Sequence, residues 1–196
     1  MTEFSKYKLS ETLSKSLKNI NFINPTPIQD KSIPLILEGN DILGSAQTGT
    51  GKTAAYSIPI LELLLKSKKS SVLILIPTRE LAKQVLNVIH SLLGFKSPIN
   101  SVSLIGGESM SKQLSLLKRK PRIYVGTPGR INDHLERSTV NFKDVKYLVL
   151  DETDRMLDMG FEVQINKILK HIKNEKQILM FSATIPKDII KLSSKY

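Results

Sequence analysis

The residues best suited to chemistry form one continuous segment: Ala46, Gln47, Thr48, Gly49, Thr50, Gly51, Lys52 and Thr53. Its glycines let the backbone curl so that successive N–H groups point at an anion, and the positive end of a following helix adds to the attraction. Lys52 can then reach the β and γ phosphates of a nucleotide, while the Thr53 hydroxyl binds Mg²⁺. The usual pattern begins with Gly where this chain has Ala46. The segment predicts a phosphate-binding loop; the alternative is a Gly- and Thr-rich turn with a chance lysine.

A second cluster of polar residues directly follows the apolar segment 147–150: Asp151, Glu152, Thr153 and Asp154. A carboxylate at the end of a buried strand is costly unless it meets a cation, and a Mg²⁺ ion held by Thr53 would supply one. Asp151 is therefore the expected metal-side carboxylate, and Glu152 can orient and deprotonate the water that attacks the γ phosphate. Taken alone, the cluster also fits a strand that ends in a solvated acidic turn. The presence of Lys52 and Thr53 in the same chain favours the catalytic interpretation.

Short β-rich segments alternate with longer helical patterns along the chain. The predicted strands are 41–44, 72–76, 102–105, 123–125, 147–150 and 178–181. The predicted helices lie near 53–65, 79–93, 109–118, 129–135, 160–171 and 186–193. Strands that are apolar throughout, such as 72–76, are buried on both faces, which indicates an α/β fold with a mostly parallel sheet covered by helices on both faces. Both polar clusters follow strands, so they are expected at the carboxyl edge of the sheet, where such folds bind ligands.

Two more helices are predicted ahead of the sheet. The first is entered from a polar cap at Ser10, and its apolar residues recur at helical spacing: Leu9, Leu13, Leu17 and Ile20. After a turn, Pro27 is expected in the first turn of a second helix that extends through Leu37.

The composition limits the class of protein. A chain of 196 residues with 40% hydrophobic residues suffices for one α/β domain. Its 29 Lys and Arg against 18 Asp and Glu give a net charge of +11, which favours a polyanionic partner through counterion release, although a general bias toward Lys would give the same excess. The absence of Cys excludes disulfides and thiolate metal sites. The segment 1–8 lacks the apolar core of a signal peptide and no apolar segment is long enough to cross a bilayer, so we expect a cytoplasmic protein without a membrane partner.

Taken in chain order, a series of short motifs makes the sequence similar to the first RecA-like domain of the DEAD-box RNA helicases. The motifs are Phe4 with 22–29 (resembling the Q motif), 46–53, Pro77-Thr78-Arg79-Glu80-Leu81-Ala82, Gly106-Gly107, Thr127-Pro128-Gly129-Arg130, 151–154 and Ser182-Ala183-Thr184. The resemblance extends along nearly the whole chain. It implies a single RecA-like ATP-binding domain over residues 1–196, with residues 1–29 as an amino-terminal extension, from an ATP-dependent RNA helicase that uses Mg²⁺.

The resemblance assigns ATP and Mg²⁺ to particular residues. The implied ATP-binding residues are Phe4, Phe22, Thr26, Gln29 and 46–53, the catalytic residues are Lys52, Asp151 and Glu152, and the metal ligands are Thr53 and Asp151, partly through water. The Gln29 amide can donate and accept at once, which suits the edge of adenine, and Phe4 offers an aromatic face for the ring. A core position for Phe4 and a surface helix position for Gln29 are the alternatives.

RNA binding is the third implied property. The matching positions are Pro77, Thr78, Arg79, Gly106, Gly107, Thr127, Pro128, Gly129 and Arg130. Their hydroxyl and guanidinium groups suit phosphates, and their glycines allow the RNA backbone to approach closely. Because contacts to the RNA backbone carry little sequence information, little sequence preference is expected. Contacts to 2′-hydroxyls would favour RNA over DNA. The alternatives are ion pairs of Arg79 with Glu80 and of Arg130 with Asp133, and a helix entry at Gly129.

The implied coupling residues are Asp154, Ser182 and Thr184, which connect hydrolysis to strand separation in such helicases. Two departures from the family pattern stand out. Thr153 replaces the usual Ala of the acidic motif, which leaves the coupling open, and Asn21 replaces the usual Gly before Phe22, with an expected effect on local turn geometry only.

Nothing after Thr184 resembles the second RecA-like domain, which supplies arginine fingers and the rest of the RNA cleft in these helicases. We therefore expect a monomeric fragment whose partners are RNA and that second domain. By itself it should bind nucleotide weakly and hydrolyse it very slowly. A DNA helicase or translocase with the same loop, and a non-catalytic RNA-binding module, are the rival functions.

Overall fold

The computed structural model describes residues 3–94 and 97–195, which contain a six-stranded sheet. The strands are β1 (Ile42–Ser45), β2 (Ser71–Leu75), β3 (Ser101–Leu104), β4 (Ile123–Gly126), β5 (Val145–Leu150) and β6 (Gln177–Ser182). Their spatial order is β1-β6-β5-β2-β4-β3, and every neighbouring pair is parallel. The predicted strands and the parallel α/β fold are confirmed, with shifts of one or two residues at the strand ends.

The helices follow the predicted alternation with one addition. They are α1 (Glu11–Asn19), α2 (Pro27–Leu37), α3 (Lys52–Lys66), α4 (Arg79–Leu93), α5 (Met110–Leu117), α6 (Pro128–Glu136), α7 (Thr153–Asp158), α8 (Glu162–His171) and α9 (Lys187–Lys195), preceded by a 3-10 helix at Glu3–Tyr7. Pro27 is the first residue of α2, as predicted. Ser10 is the residue before α1, as predicted, but its side chain forms no cap hydrogen bond. The additional helix is α7, which begins inside the acidic cluster and was not predicted from the sequence.

Helices cover both faces of the sheet. On one face, α1 to α4 pack against side chains such as Val72 and Ile74; on the other, α6 to α9 pack against Leu73 and Leu75. These four consecutive residues of β2 are fully buried, and each such side chain contributes about 1.5–3 kcal/mol through the apolar area it removes from water. Across residues 3–94 and 97–195, no helix combines the length and apolarity required to cross a bilayer.

The strand order divides the carboxyl edge of the sheet into two halves. In one half, the segments after β1, β6 and β5 are neighbours, and these are the phosphate loop, 182–184 and the acidic cluster. In the other half, the segments after β2, β4 and β3 are neighbours, and these carry the residues predicted to bind RNA. Because β5 pairs with β2, the two halves adjoin at the centre of the sheet.

Candidate functional site

The phosphate loop connects β1 to α3, the strand, loop and helix order that the sequence predicts. Gly49 and Gly51 have φ angles of 84° and 91°, a left-handed conformation that favours glycine. Lys52 begins α3 and is 7% exposed, and its Nζ donates a hydrogen bond to the Ala46 carbonyl at 2.8 Å. This hydrogen bond holds the ammonium group against the phosphate loop.

Gln29 joins the amino-terminal segment to the phosphate loop. Its Oε1 accepts a hydrogen bond from the Thr26 backbone N–H at 3.0 Å, and its Nε2 donates to the Gly51 carbonyl at 3.2 Å. The side chain is buried, so Gln29 is not a surface helix residue. A side chain at position 51 would collide with the Gln29 amide, which gives Gly51 a second role besides its φ angle. Contact between Gln29 and adenine stays a prediction, since both ends of the amide contact protein here.

Phe4 lies in the hydrophobic core. It is 2% exposed, and its ring centroid is 5.9 Å from that of Tyr7 and 6.0 Å from that of Phe22. This is the core position that the sequence left open as the alternative. Stacking of Phe4 on adenine stays a prediction and would require the ring to leave this packing. Phe22 is half-buried and borders the cavity beside the phosphate loop.

The carboxylate of Asp151 is buried directly across from the phosphate loop. It is 2% exposed, Tyr56 donates a hydrogen bond to its Oδ2 at 2.9 Å, and the Glu152 backbone N–H donates to its Oδ1 at 2.9 Å. Burial raises the pKa of Asp151, although Tyr56 and the nearby Lys52 ammonium oppose the rise. Thr53 and Asp151 line the same cavity. A hydroxyl and a carboxylate are hard oxygen ligands of the kind that Mg²⁺ prefers.

Glu152 has an unusual backbone conformation. Its φ and ψ angles are 49° and 51°, in the left-handed region where a non-glycine residue is strained. This turn ends β5 and starts α7, and it places Glu152 at the cavity beside the phosphate loop. Glu152 Oε2 also lies 3.2 Å from Arg155 Nη1. The cavity has a volume of about 370 Å³ and is lined by both predicted catalytic carboxylates, Lys52 and Thr53.

Asp154 connects the acidic cluster to the segment after β6. Its Oδ2 accepts hydrogen bonds from the Ala183 N–H at 3.2 Å and from both the N–H and the hydroxyl of Thr184 at 2.9 Å. The Asp154 N–H in turn donates to Ser182 Oγ at 3.2 Å. Thr153 does not disturb these contacts, because its hydroxyl points to the carbonyls of Leu150 and Phe181. The contacts between Asp154 and the segment 182–184 are thus present with Thr153 in the motif.

The hydrogen bonds to Asp154 predict a pH-dependent contribution to stability. Burial by itself would raise the pKa of Asp154, but the hydrogen bonds, led by the Thr184 N–H, outweigh it and hold the pKa below its ordinary value. The stabilisation is therefore fully present above the unfolded pKa of about 3.9 and is lost as the pH falls through the folded pKa. We expect Asp154→Asn to be less stable than the wild type near neutral pH, with a difference that shrinks on acidification.

Urea unfolding between about pH 6 and about pH 3 measures this difference in the free energy of unfolding. Asp158→Asn is the matched control, because Asp158 is an exposed carboxylate at the end of the same helix. Its effect on the free energy of unfolding should be small, because Asp158 is exposed. A penalty for Asp154→Asn that does not change with pH would contradict the argument.

The residues predicted to bind RNA border one groove on the other half of the carboxyl edge. The groove has a volume of about 620 Å³, and the predicted residues that line it are Pro77, Thr78, Arg79, Gly106, Gly107, Thr127, Gly129 and Arg130. Pro128 is buried at the start of α6. The amino termini of α4 and α6 both begin in this groove, so their backbone N–H groups and dipoles favour anions there.

The two arginines of the groove have different surroundings. Arg79 is exposed and lies against Gly106 and Gly107, where a side chain at Gly107 would collide with its guanidinium group. Arg130 is largely buried, and its Nη1 donates to the Glu108 carbonyl and to Gln113 Oε1, both at 3.2 Å. Arg130 Nε also lies 3.6 Å from Asp133 Oδ2. The ion pair between Arg130 and Asp133, which was the alternative to RNA binding in the sequence analysis, is therefore present.

A buried polar network supports Arg130 and escaped the sequence analysis. Gln113 is fully buried; besides accepting from Arg130, it donates through Nε2 to the Ile105 carbonyl at 2.8 Å. His134 Nε2 lies 2.8 Å from Gln113 Oε1, and burial followed by the charge of Arg130 lowers the pKa of His134. Because Gln113 Oε1 can only accept, the neutral imidazole carries its proton on Nε2. No local pattern marks these residues, since they meet only in the folded chain.

Met159 and Phe161 are the other groove residues that sequence reasoning missed. They follow α7, and Met159 is 49% exposed. The available signal was a pair of large apolar residues on either side of Gly160, just after the acidic cluster. Asn21 has a φ of 56°, in the left-handed region that Asn tolerates better than most residues.

These features define the class of the protein. An all-parallel sheet whose first strand runs through a glycine-rich loop into a helix, with carboxylates at the end of a nearby strand, is a RecA-like P-loop domain. The sequence pattern of the family described as DEAD/DEAH box helicase matches residues 26–192. The chain belongs to the DEAD/DEAH box helicase family.

Individual relatives agree with this assignment. The chain is 46% identical over 197 aligned positions to the ATP-dependent RNA helicase CshA of Listeria monocytogenes, covering 100% of this chain and 38% of that protein. It is 45% identical to the probable ATP-dependent RNA helicase MJ0669 of Methanocaldococcus jannaschii, covering 98% of this chain and 52% of that protein. The chain therefore spans about half, or less, of the length of these relatives.

Solved structures give the same result for the fold. A DEAD box protein from the hyperthermophile Methanococcus jannaschii superposes with a TM-score of 0.94 at 44% identity, covering 100% of this chain and 54% of that one. A hypothetical ATP-dependent RNA helicase from Sulfolobus tokodaii superposes with a TM-score of 0.89 at 35% identity, covering 96% of this chain and 55% of that one. The RecA-like fold predicted from the sequence is confirmed.

Proposed function

We propose that the chain is a single RecA-like domain that forms the ATP- and RNA-binding half of an ATP-dependent RNA helicase. Joined to a second RecA-like domain, it would hydrolyse ATP to remodel or unwind RNA. The observation that carries the proposal is the position of two sites on one sheet edge. The phosphate loop and Asp151 occupy one half of that edge, and the groove with Arg79 and Arg130 occupies the other.

In the nucleotide site, each residue has a role that follows from its position. The backbone N–H groups of the loop and the Lys52 ammonium would bind the phosphates, and Thr53 and Asp151 would hold Mg²⁺, partly through water. The ion would neutralise charge on the phosphates. Glu152 would orient the attacking water and accept a proton from it. For this role the Glu152 carboxylate must face the cavity, which Glu152 lines, in addition to its contact with Arg155.

In the groove, the backbone of RNA is the proposed ligand. The helix amino termini after Thr78 and Thr127 offer N–H groups to phosphates, and Arg79 offers an exposed guanidinium. Contacts of this kind carry little sequence information, so affinity should depend on strand and sugar type rather than on base order. Asp154 and its contacts to Ser182 and Thr184 connect this edge to the end of β6, which supports a role in coupling.

The activity of the chain by itself should be limited. A second RecA-like domain would supply arginine fingers, whose absence costs about 10³- to 10⁵-fold in rate in phosphoryl-transfer enzymes that use them. We therefore propose a monomeric domain with weak nucleotide binding, very slow hydrolysis and no unwinding. Its partners would be RNA and the second domain.

Selective binding of adenine nucleotides tests the proposal. We expect titration calorimetry with Mg²⁺ to show that the chain binds ADP at least tenfold more tightly than GDP, because the Gln29 amide reads the adenine edge. In Gln29→Ala this preference should disappear. Since Gln29 also contacts the Gly51 carbonyl, some loss of affinity for both nucleotides is expected in addition.

Lys31→Ala provides the control, because Lys31 is an exposed residue of the same helix. It should leave both affinities unchanged. Equal binding of ADP and GDP by the unaltered chain would leave a phosphate-binding domain and overturn the helicase proposal. An equal loss for both nucleotides in Gln29→Ala would assign Gln29 to support of the loop and remove its adenine contact.

A further inference from the structure

The excess positive charge of the chain does not lie at the proposed RNA groove. The formal net charge is +11, but the carboxyl edge of the sheet is nearly balanced. The charged residues that line its two cavities are the cations Lys52, Arg79 and Arg130 and the acids Glu80, Asp133, Asp151 and Glu152. Binding of RNA in the groove therefore leaves most of the excess charge without a partner.

The excess is concentrated at the opposite, amino-terminal edge of the sheet. The loops that precede β6, β5, β2 and β4 contain a set of exposed basic residues, which we call the amino-edge patch: Lys68, Lys69, Lys118, Arg119, Lys120, Lys143 and Lys173. Only Asp144 and Glu175 oppose them as exposed acids in the same loops. Along residues 3–94 and 97–195, none of the seven basic side chains forms an ion pair.

The loops of the patch form one continuous surface, because they precede neighbouring strands of the sheet and because hydrogen bonds from side chains to backbone carbonyls connect them. The guanidinium group of Arg122 donates at 2.8 Å to the carbonyls of both Leu64 and Ser70, which holds the loop before β2 against the loop before β4. Asn174 Nδ2 donates at 2.5 Å to the Lys143 carbonyl and joins the loops before β6 and β5. With strands about 4.8 Å apart, the patch extends about 15 Å across the sheet.

The chemistry of the patch suits a nucleic-acid backbone better than a protein or a membrane. A protein interface relies on buried aromatic and apolar anchors, and a membrane surface site gains from apolar side chains that insert. Within residues 3–94 and 97–194, the large apolar residues that are exposed are Ile23, Leu35, Leu43, Met159, Val163, Ile185 and Ile190, and none of them belongs to these loops. Binding to phosphates needs only the positive charges.

We propose that the amino-edge patch is a second RNA-binding site, which takes the sugar-phosphate backbone without nucleotide and without sequence preference. Six of its seven cations are lysines, which act as mobile point charges rather than as planar forks that read base edges. The six residues of β5 separate the two sheet edges by about 20 Å, so the patch binds a different segment of RNA from the groove. Two segments of one RNA held in this way raise the effective concentration of RNA at the groove.

Binding of a fluorescently labelled oligouridine without nucleotide, followed by anisotropy between about 50 and 200 mM salt, tests the proposal. The patch variant is Lys69→Gln, Lys118→Gln and Lys143→Gln, one change in each of three loops. Its matched control removes the same charge from exposed helical lysines outside the patch: Lys18→Gln, Lys31→Gln and Lys187→Gln. For single-stranded RNA, the logarithm of the binding constant falls with the logarithm of the salt concentration, with a slope of about −0.7 per phosphate contact. Loss of three contacts should therefore make this slope less negative by about 2, and binding at low salt should weaken at least tenfold. The control should bind within about twofold of the wild type.

Equal weakening in both variants would overturn the proposal, because it would assign binding to net charge alone. Displacement of the RNA by polyglutamate of equal charge, at equal concentration, would also overturn it in favour of an acidic protein. A third outcome would also overturn the proposal: the wild type binds anionic lipid vesicles and the patch variant does not, while both bind RNA equally. Circular dichroism checks that the variants are folded.

Limited acetylation of the unaltered chain tests the same site without substitutions. RNA should protect Lys69, Lys118 and Lys143 at least threefold, and it should leave Lys18 and Lys31 unprotected. Protection that is equal at all five lysines would contradict a defined site. Since neither assay contains nucleotide, a failure here is distinguishable from a failure of ATP binding.

Discussion

Replacing Lys52 by Ala is expected to weaken binding of Mg–ATP by about 100-fold or more, which is about 3 kcal/mol. The ammonium group is 7% exposed and is held over the phosphate loop by the Ala46 carbonyl. Its removal deletes a buried charge contact to the phosphates and also takes a cation away from buried Asp151. Titration calorimetry with a slowly hydrolysed ATP analogue measures the loss.

Lys66→Ala is the matched control, because Lys66 ends the helix that Lys52 begins. Its exposed ammonium pairs with Glu62 at 3.0 Å, far from the loop, so nucleotide affinity should be unchanged. Thermal unfolding of both variants separates loss of binding from loss of fold. A Lys52→Ala variant that is folded and binds the analogue within about twofold of the wild type would contradict the assignment of the phosphate loop.

Replacing Glu152 by Gln is expected to lower the rate of ATP hydrolysis by about 10²- to 10⁴-fold while leaving nucleotide affinity nearly unchanged. The amide keeps the size of the side chain and its contact with Arg155, but it cannot accept the proton of the attacking water. Release of labelled phosphate, with protein in excess over ATP, measures the slow rate of this single domain.

Glu162→Gln is the control for this substitution, since Glu162 is an exposed carboxylate at the start of the next helix. The two variants should have equal affinity for ADP and differ only in rate. If Glu152→Gln hydrolysed ATP as fast as the wild type, Glu152 would not be the general base, and a non-catalytic RNA-binding role would become the better account.

The sheet was predictable because its strands carry their own signal. The side chains from Val72 to Leu75 are apolar without interruption, and the structure buries them against helices on both faces. The phosphate loop was predictable for a similar reason: Gly49 and Gly51 mark the left-handed turns that the loop requires. In both cases a short stretch of sequence contains the whole physical cause.

Features that depend on distant partners were not predictable in the same way. Tyr56 contacts Asp151 across 95 positions of sequence, and nothing beside Tyr56 marks it as part of the site. Phe4 is an aromatic residue near the amino terminus whose burial depends on packing against Phe22. The helix α7 is six residues long and starts at a strained Glu152, so it has too little periodicity to be recognised.

The net charge shows the same limit. The sequence gives its sign and size, but only the strand order reveals that Lys69, Lys118 and Lys143 meet on the edge opposite the groove. Charge in loops has no periodic pattern, so its placement follows from topology alone.

The measurement that tests the central claim most directly is amide chemical-shift mapping of the labelled chain during titration with Mg–ADP. The account predicts that the largest shifts occur at 46–53, Gln29 and Asp151, with the amino-edge loops unchanged. Large shifts at the amino edge, with 46–53 unchanged, would contradict the assignment of the nucleotide site.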